Sequence, residues 1–216
     1  MVVGSEVVSF VQGVEPEQRA DIINAALLAQ LRANKVVPEP AGIKDLRTWY
    51  QQYFEVLSNV GFVTQQTNMQ KYEVNAGGFQ AHEAVLEVAA TLLTGSPTAL
   101  AVLTSTVQAL KKMDEHSAWL TIFNRESRSA NTAHFQVSTV DRDTTGDLFI
   151  AMMAFGLEAT SKITQVLFFK FHKTDTKIEN NAGKATINAK VLAALRPVIS
   201  QKLIAHAGDY LSQLET

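Results

Sequence analysis

Cysteine is absent from the sequence of 216 residues. A chain without cysteine forms no disulfides, offers no thiolate to a metal and has no cysteine nucleophile, so these three kinds of site are excluded. Net charge is also small, with 19 basic and 21 acidic residues and a formal value of −2. The fold must therefore be stabilised by an apolar core, for which a chain of this length is sufficient.

Long apolar runs are missing as well. No stretch reaches the ~18 apolar residues of a membrane-spanning helix. The N-terminus has no basic start and carries Glu6 inside a short apolar run, which is unlike a secretory signal peptide. The sequence therefore predicts a soluble protein made in the cytosol without a signal peptide, so that any release or secretion would follow an unconventional route.

Recognisable catalytic motifs are absent too, including the nucleophile elbow, the phosphate loop and the dinucleotide fingerprint. The cluster Asp114, Glu115 and His116 lacks a further ligand motif and is typical of a solvated helix end. His206 and Asp209 are spaced as a surface pair on a helix. We expect no enzyme activity, no metal site and no cofactor. An enzyme whose catalytic groups converge from distant positions stays open as an alternative.

The unusual feature that is present is an uncharged run of ten residues at positions 148–157. A second apolar run follows at 166–171. Strands covered on both faces are apolar throughout, whereas half-buried strands alternate. We predict strands over 148–158 and 163–173 that need helices or lipid on both faces. The candidate membrane-inserting residues are Leu148, Phe149, Ile150, Met152, Met153, Phe155, Val166, Leu167, Phe168, Phe169 and Phe171.

Positive charge is concentrated towards the C-terminus. Residues 1–161 carry 11 basic and 17 acidic residues, whereas residues 162–202 carry 8 and 2. This indicates anionic partners such as lipid headgroups, sulfated glycans or nucleic acid, or else a solvated strand face. Nucleic acid is disfavoured, because adjacent Phe168 and Phe169 would point to opposite faces of a strand. The candidate residues for binding a membrane or an anionic ligand are Lys162, Lys170, Lys173 and Lys177.

Helical periodicity is found in two pairs of segments. Apolar residues recur at intervals of three and four over 16–34 and 43–58, and again over 79–93 and 97–115. A turn is predicted at 180–183 and a last helix from 196 to 214. The further predicted strands are 2–11, 62–74, 118–124, 133–140 and 185–192. Two helical hairpins bury both faces of one sheet, so the predicted fold is α/β (α+β), a three-layer sandwich with an antiparallel sheet.

Several short features carry a resemblance to a known family. They are Ala118-Trp119 at the start of a predicted strand, a polar turn at 125–131, Asp-Thr-Thr-Gly at 143–146, the apolar strand ending at Glu158, and Gln-Val-Leu-Phe-Phe at 165–169. In order and spacing they resemble the Cyt family of cytolytic δ-endotoxins, whose fold the mushroom cytolysin volvatoxin A2 shares. The match is clearest over 118–192.

The resemblance implies a single Cyt-like cytolysin domain over residues 1–216. It also implies a pore-forming, haemolytic toxin of virulence or defence that binds membrane lipids and forms homo-oligomers there. The helical layers would swing off while the long C-terminal strands enter or lie on the bilayer. A tilted strand crosses the hydrocarbon in ~9–11 residues and open sheet edges cannot face lipid, so oligomers are required. The alternative is a non-lytic lipid- or sulfated-glycan-binding protein with the same fold.

Overall fold

The computed structural model describes residues 1–64, 68–73, 78–168, 170–172 and 174–212, with the backbone alone at 79, 171 and 209–212. The helices are α1 (Pro16–Val36), α2 (Ile43–Asn59), α3 (Ala81–Leu92), α4 (Pro97–Lys112), α5 (Ala118–Ser127) and α6 (Ala189–Ser212). The strands are β1 (Val2–Val3), β2 (Glu6–Phe10), β3 (Phe62–Thr64), β4 (Gln70–Lys71), β5 (Gly78–Gln80), β6 (Arg128–Ser129), β7 (Thr132–Arg142), β8 (Leu148–Ala159), β9 (Lys170–His172) and β10 (Thr176–Ile187).

Eight strands form the main sheet, in the order β1-β2-β7-β8-β10-β3, with β6 beside β7 and β4 beside β10. The long strand β8 is central and pairs antiparallel with β7 on one side and β10 on the other. One pair differs from the predicted antiparallel sheet, since β2 runs parallel to β7. A parallel pair needs a long crossover, and helices α1 to α5 lie between these two strands in the chain.

Helices cover both faces of this sheet, as predicted. The first core lies between the sheet and helices α1, α2 and α6, and the second core lies between the sheet and helices α3, α4 and α5. The two predicted hairpins are confirmed. Helix α1 begins at Pro16, where a missing N–H is tolerated. None of the helices in the described ranges is long and apolar enough to cross a bilayer.

The strand predicted at 118–124 is wrong, because these residues belong to helix α5. The Ser117 hydroxyl accepts a hydrogen bond from the Leu120 amide at 3.5 Å and caps the helix. Leu120 and Phe123 are three residues apart and both face the second core. The aromatic and β-branched residues that favour a strand here also suit a short helix with one buried face.

The strand predicted at 163–173 is largely wrong. Residues 163–168 are irregular, and the strand β9 pairs with β5 in a separate two-stranded sheet. The backbone groups find other partners: the Asn124 side chain accepts from the Val166 amide at 3.0 Å, and Arg128 donates to the Ile163 and Thr164 carbonyls at 3.1 and 2.8 Å. Satisfied backbone groups need no neighbouring strand.

The predicted turn at 180–183 is also wrong, since these residues continue β10. The pairing of β10 with β8 over eleven residue pairs overrides the local turn preference of Asn and Gly. Of the strand predicted at 185–192, only 185–187 is a strand. Helix α6 begins seven residues before the predicted start, where the Asn188 side chain accepts from the Val191 amide at 3.1 Å. It passes through Pro197.

Candidate functional site

The apolar strand β8 is buried on both faces, and its side chains alternate between the two cores. The first core contains the candidate residues Leu148, Ile150 and Met152. The second core contains Phe149, Met153 and Phe155. The uncharged run is therefore the mark of a strand sandwiched between two helical layers, which agrees with the sequence-based interpretation of its apolarity.

The second candidate segment does not lie beside the first. Val166 and Leu167 are buried in the second core, outside any strand. Phe168 is half-buried, with its ring 5.3 Å from that of His82 at the start of α3. Phe171 belongs to the strand β9, and its backbone alone is described. Phe169 lies outside the described residues. The structure places β10, and not this segment, next to β8.

The described candidate lysines are separated, with Lys162 in the irregular segment after β8, Lys170 on β9 and Lys177 on β10. Lys162 and Lys170 are exposed, and Lys173 lies outside the described residues. Lys177 on β10 donates to the Glu158 carboxylate at 2.7 Å, and this contact lowers the pKa of Glu158. The same carboxylate accepts from the Ile43 amide at the start of α2, at 2.9 Å. Lys177 is therefore the least available of the three described lysines for an external anion.

A buried polar layer under α1 and α2 was missed by the sequence interpretation. The Tyr50 hydroxyl lies 2.7 Å from the Phe155 carbonyl and 3.0 Å from the Phe135 carbonyl. It accepts a hydrogen bond from the side-chain amide of Gln136 at 3.1 Å. Burial raises the pKa of Tyr50 above its usual range. The Gln30 side chain on α1 accepts from the Ser5 amide at 3.0 Å. The Tyr50 contacts join α2 to β7 and β8, and the Gln30 contact joins α1 to the residue before β2.

A buried carboxylate lies in the same layer. Glu6 on β2 accepts from the Ser138 hydroxyl at 2.6 Å and from the Tyr53 hydroxyl at 2.8 Å. Burial raises its pKa, although both hydrogen bonds oppose the shift. Alternating polar residues on 133–140 signalled a polar face, and the structure shows that helices and not solvent cover that face.

His134 on β7 is buried, and its ring lies 4.2 Å from that of Trp49. Its Nε2 atom has no hydrogen-bond partner. Burial lowers the pKa of His134 to about 4, so the imidazole is neutral at pH 7. A buried neutral ring tilted by 42° against an indole is a packing element rather than an acid–base group.

Two arginines form ion pairs in the first helical layer, which consists of α1, α2 and α6. Arg196 on α6 makes a two-pronged contact with the buried carboxylate of Asp21 on α1, at 2.6 and 2.8 Å. Arg47 on α2 donates to Glu179 on β10, with one contact at 2.7 Å. Paired, partly buried charges of this kind resist separation because either partner alone would be left without compensation.

The second helical layer is attached differently. The described hydrogen bonds of α3, α4 and the turn between them to other parts of the molecule involve Tyr72, Leu167 and Lys184, two of them at exposed positions, and α5 adds the contact of Asn124 with the Val166 amide. The surfaces of α3 and α4 that meet the sheet are small or aliphatic. They are Ala84, Val85, Ala89, Ala99, Leu103 and Val107. The two layers are thus held by different forces, one partly polar and one mainly apolar.

A cavity of about 870 Å³ opens between β10 and the α3–α4 connection. The Lys184 ammonium lies on its wall, 5.1 Å from the Phe149 ring centre. Within the described ranges no group of three or more His, Asp or Glu side chains is arranged to hold a metal ion. The cluster at 114–116 is an exposed chain segment.

No family model and no curated protein matches this sequence. Solved structures do: a δ-endotoxin has a TM-score of 0.45 and 12% identity, covering 87% of this chain and 84% of its own. The Evf virulence factor has a TM-score of 0.37 and 12% identity, with 97% and 84% covered. Activated Cyt2Ba monomer from Bacillus thuringiensis subsp. israelensis has 0.25 and 11%, with 86% and 96% covered. Two of these three are Cyt-type δ-endotoxins.

Proposed function

We propose that this protein is a membrane-active cytolysin, which binds bilayers from a soluble state, forms oligomers there and transfers its long strands to lipid. The observation that carries the proposal is the strand β8. It is 12 residues long, has no charged residue from 148 to 157, and is covered by helices on both faces. A tilted strand of ~9–11 residues spans the hydrocarbon, so β8 is long enough. The proposed activity is not enzymatic.

Helices α3 and α4 are the layer we expect to leave the sheet. Their contacts with β7 and β8 are mainly apolar, so lipid can replace them without stranding buried polar groups. Separation of α1 and α2 would instead break the hydrogen bonds of Tyr50 and Tyr53 and the Arg47–Glu179 pair. The face of the sheet that lines the second core is thus the face that becomes available to a bilayer.

Oligomerisation follows from the sheet's geometry. The pairing of β8 with β7 and β10 satisfies its backbone groups, but the outermost strands of one molecule retain unpaired edges. Such edges are costly in hydrocarbon, so several molecules must combine their sheets. Lys162, Lys170, Lys173 and Lys177 are proposed contacts for anionic headgroups, at ~1 kcal/mol each near the surface, with Lys177 the least available because it is paired with Glu158.

Release of a trapped dye from protein-free vesicles tests the proposal. We expect leakage from zwitterionic or anionic vesicles, together with oligomers that resist detergent. Binding without leakage would replace the cytolysin by the non-lytic lipid-binding alternative, and retention on a heparin column without vesicle binding would favour a sulfated glycan. Absence of leakage across both vesicle compositions would overturn the proposal.

A further inference from the structure

Helix α6 packs on α1 along one side only. Leu192 and Ile199, seven residues apart, are its fully buried residues in the first core. Arg196 lies on the same side and contacts Asp21. The opposite side of α6 is the outer surface of the molecule.

This outer face is unusually apolar for a surface helix. Val198 is 48% exposed and Ile204 is 71% exposed. Val191 is 39% exposed, and the small residues Ala193, Ala194 and Ala205 are also exposed. A surface helix normally turns charged and polar residues to water. An apolar outer face is expected where another apolar phase covers it.

The charge on α6 has one sign from its start to Gly208. Between Ala189 and Gly208 the sequence contains no Asp or Glu. Lys190 and Lys202 are exposed, and among the described residues neither lysine forms an ion pair. Arg196 is occupied by Asp21 and Glu17 on α1. The charge that α6 offers outward is therefore positive.

We propose that the outer face of α6 is the surface on which the folded protein first lies on an anionic bilayer, an inference that rests on the proposed function. In this position the helix lies in the plane of the membrane. Val198 and Ile204 enter the boundary between headgroups and acyl chains, and the two lysines extend to lipid phosphates. Both features of the face, aliphatic and cationic, then have a partner.

A second copy of the chain fits this face less well. In a two-fold contact the same patch meets itself, so the lysines of both copies approach each other. Residues 189–208 of α6 contain no carboxylate to neutralise them. Anionic lipid supplies the missing opposite charge.

Helix α5 is the competing surface. Trp119 is 50% exposed and Ile122 follows three residues later on the same side. This helix belongs to the second core, on the opposite face of the sheet from α6. Its surroundings carry both signs of charge, since Arg125 is paired with Glu126 and exposed acids precede the helix at 114 and 115. Residues 189–208 of α6 combine an apolar face with charge of one sign, and α5 does not.

Co-sedimentation with vesicles separates these surfaces. The double variant Val198→Glu and Ile204→Glu is expected to bind about tenfold or more weakly to vesicles containing 30% phosphatidylglycerol, because two carboxylates enter the apolar boundary. The matched control Trp119→Glu is expected to bind as the unsubstituted protein does. All three exchanged side chains are at least 48% exposed, so circular dichroism and the melting temperature should be unchanged.

The charge contribution has its own pair of variants. Lys190→Gln with Lys202→Gln is expected to weaken binding to the anionic vesicles about 30-fold and to leave binding to pure phosphatidylcholine unchanged. Lys112→Gln with Arg125→Gln removes the same charge from the opposite helical layer and should have little effect.

Each outcome is decisive. If the unsubstituted protein binds and the α6 variants bind equally well, the α6 surface is wrong while the proposed function stands. If the Trp119 variant alone loses binding, α5 is the docking surface. If the unsubstituted protein self-associates in solution and Val198→Glu with Ile204→Glu abolishes that association, the face belongs to a second copy. If no protein binds vesicles, both proposals fail.

Discussion

Three polar groups of the central strands meet the Tyr50 hydroxyl beneath α2. Replacement Tyr50→Phe leaves the Phe135 and Phe155 carbonyls and the Gln136 amide without this partner. Buried polar groups that lose a partner cost about 1–3 kcal/mol. We therefore expect Tyr50→Phe to lower the free energy of unfolding by that amount in urea titrations.

The matched control is Tyr72→Phe, which removes an exposed hydroxyl contact with Glu87. Water replaces this contact, so the loss should stay below about 1 kcal/mol. Equal losses in the two variants would mean that the polar layer contributes nothing particular to holding α2 on the sheet.

His134 makes stability depend on pH. Its pKa is about 4 in the folded protein against an ordinary value of 6.5, because burial disfavours the charged ring. Below pH 6.5 His134 is protonated in the unfolded chain but stays neutral in the folded protein. The free energy of unfolding therefore falls as the pH drops towards 4. The expected loss from this group is about 3 kcal/mol over that range.

Urea unfolding at pH 7 and pH 4.5, compared with His134→Asn, measures this effect. The unsubstituted protein should lose about 2 to 3 kcal/mol more than the variant on acidification. Glu6 acts in the opposite sense, since its raised pKa favours the folded state at lower pH, but it is present in both proteins. A difference between the two proteins that does not change with pH would contradict the assignment.

Among the elements, the α3–α4 pair and the α1–α2 pair look alike in sequence but are attached by different forces. The sequence contains no cysteine, so pairs of dyes can be placed on introduced cysteines without competing thiols. Exposed positions are Ser105 on α4, Gln51 on α2 and Thr144 in the β7–β8 turn. We expect energy transfer between 105 and 144 to fall when vesicles are added, and transfer between 51 and 144 to persist. A fall for the second pair alone would reverse the assignment of the mobile layer.

Helices were predicted correctly from the sequence where the apolar periodicity extends over many residues. The bounds of α1 and α2 agree with the sequence-based bounds to within two residues at each end. Short apolar segments were predicted poorly, because helix, strand and irregular structure share the same residues over five to ten positions. Helix α5 and residues 163–168 are the two cases, and in both the partner that decides the conformation lies far away in the chain.

For the whole molecule, the proposed function requires molecules to act together. Sheet edges in lipid must be paired between copies, so leakage should not arise from single bound molecules. We expect the initial rate of dye release to rise more steeply than linearly with bound protein. Stopped-flow dye release at a series of protein-to-lipid ratios measures this dependence, with total binding determined in parallel. A linear dependence would exclude the oligomeric mechanism.

The candidate site was predicted in part. The uncharged strand β8 could be identified because its apolarity extends over ten residues and is visible in composition alone. The lysines were identified as charges, but their availability was not, since the Lys177–Glu158 contact joins neighbouring strands. The role we infer for α6 was missed, because an apolar residue on a helix is assigned to the core until the neighbours are known.

The sequence by itself determined the two helical hairpins, the long strands β7 and β8, and the need to cover β8 on both faces. These features depend on the spacing of apolar residues and on turn residues that act locally. Contacts between distant parts of the chain were needed to establish that β10 extends through Asn180 to Gly183, that α5 is a helix, and that buried polar side chains join α1 and α2 to the sheet, whereas α3 and α4 meet it through mainly apolar surfaces. The physical reason is that contacts with a packed neighbouring element contribute more free energy than a residue's local conformational preference. That neighbouring element is distant in the sequence.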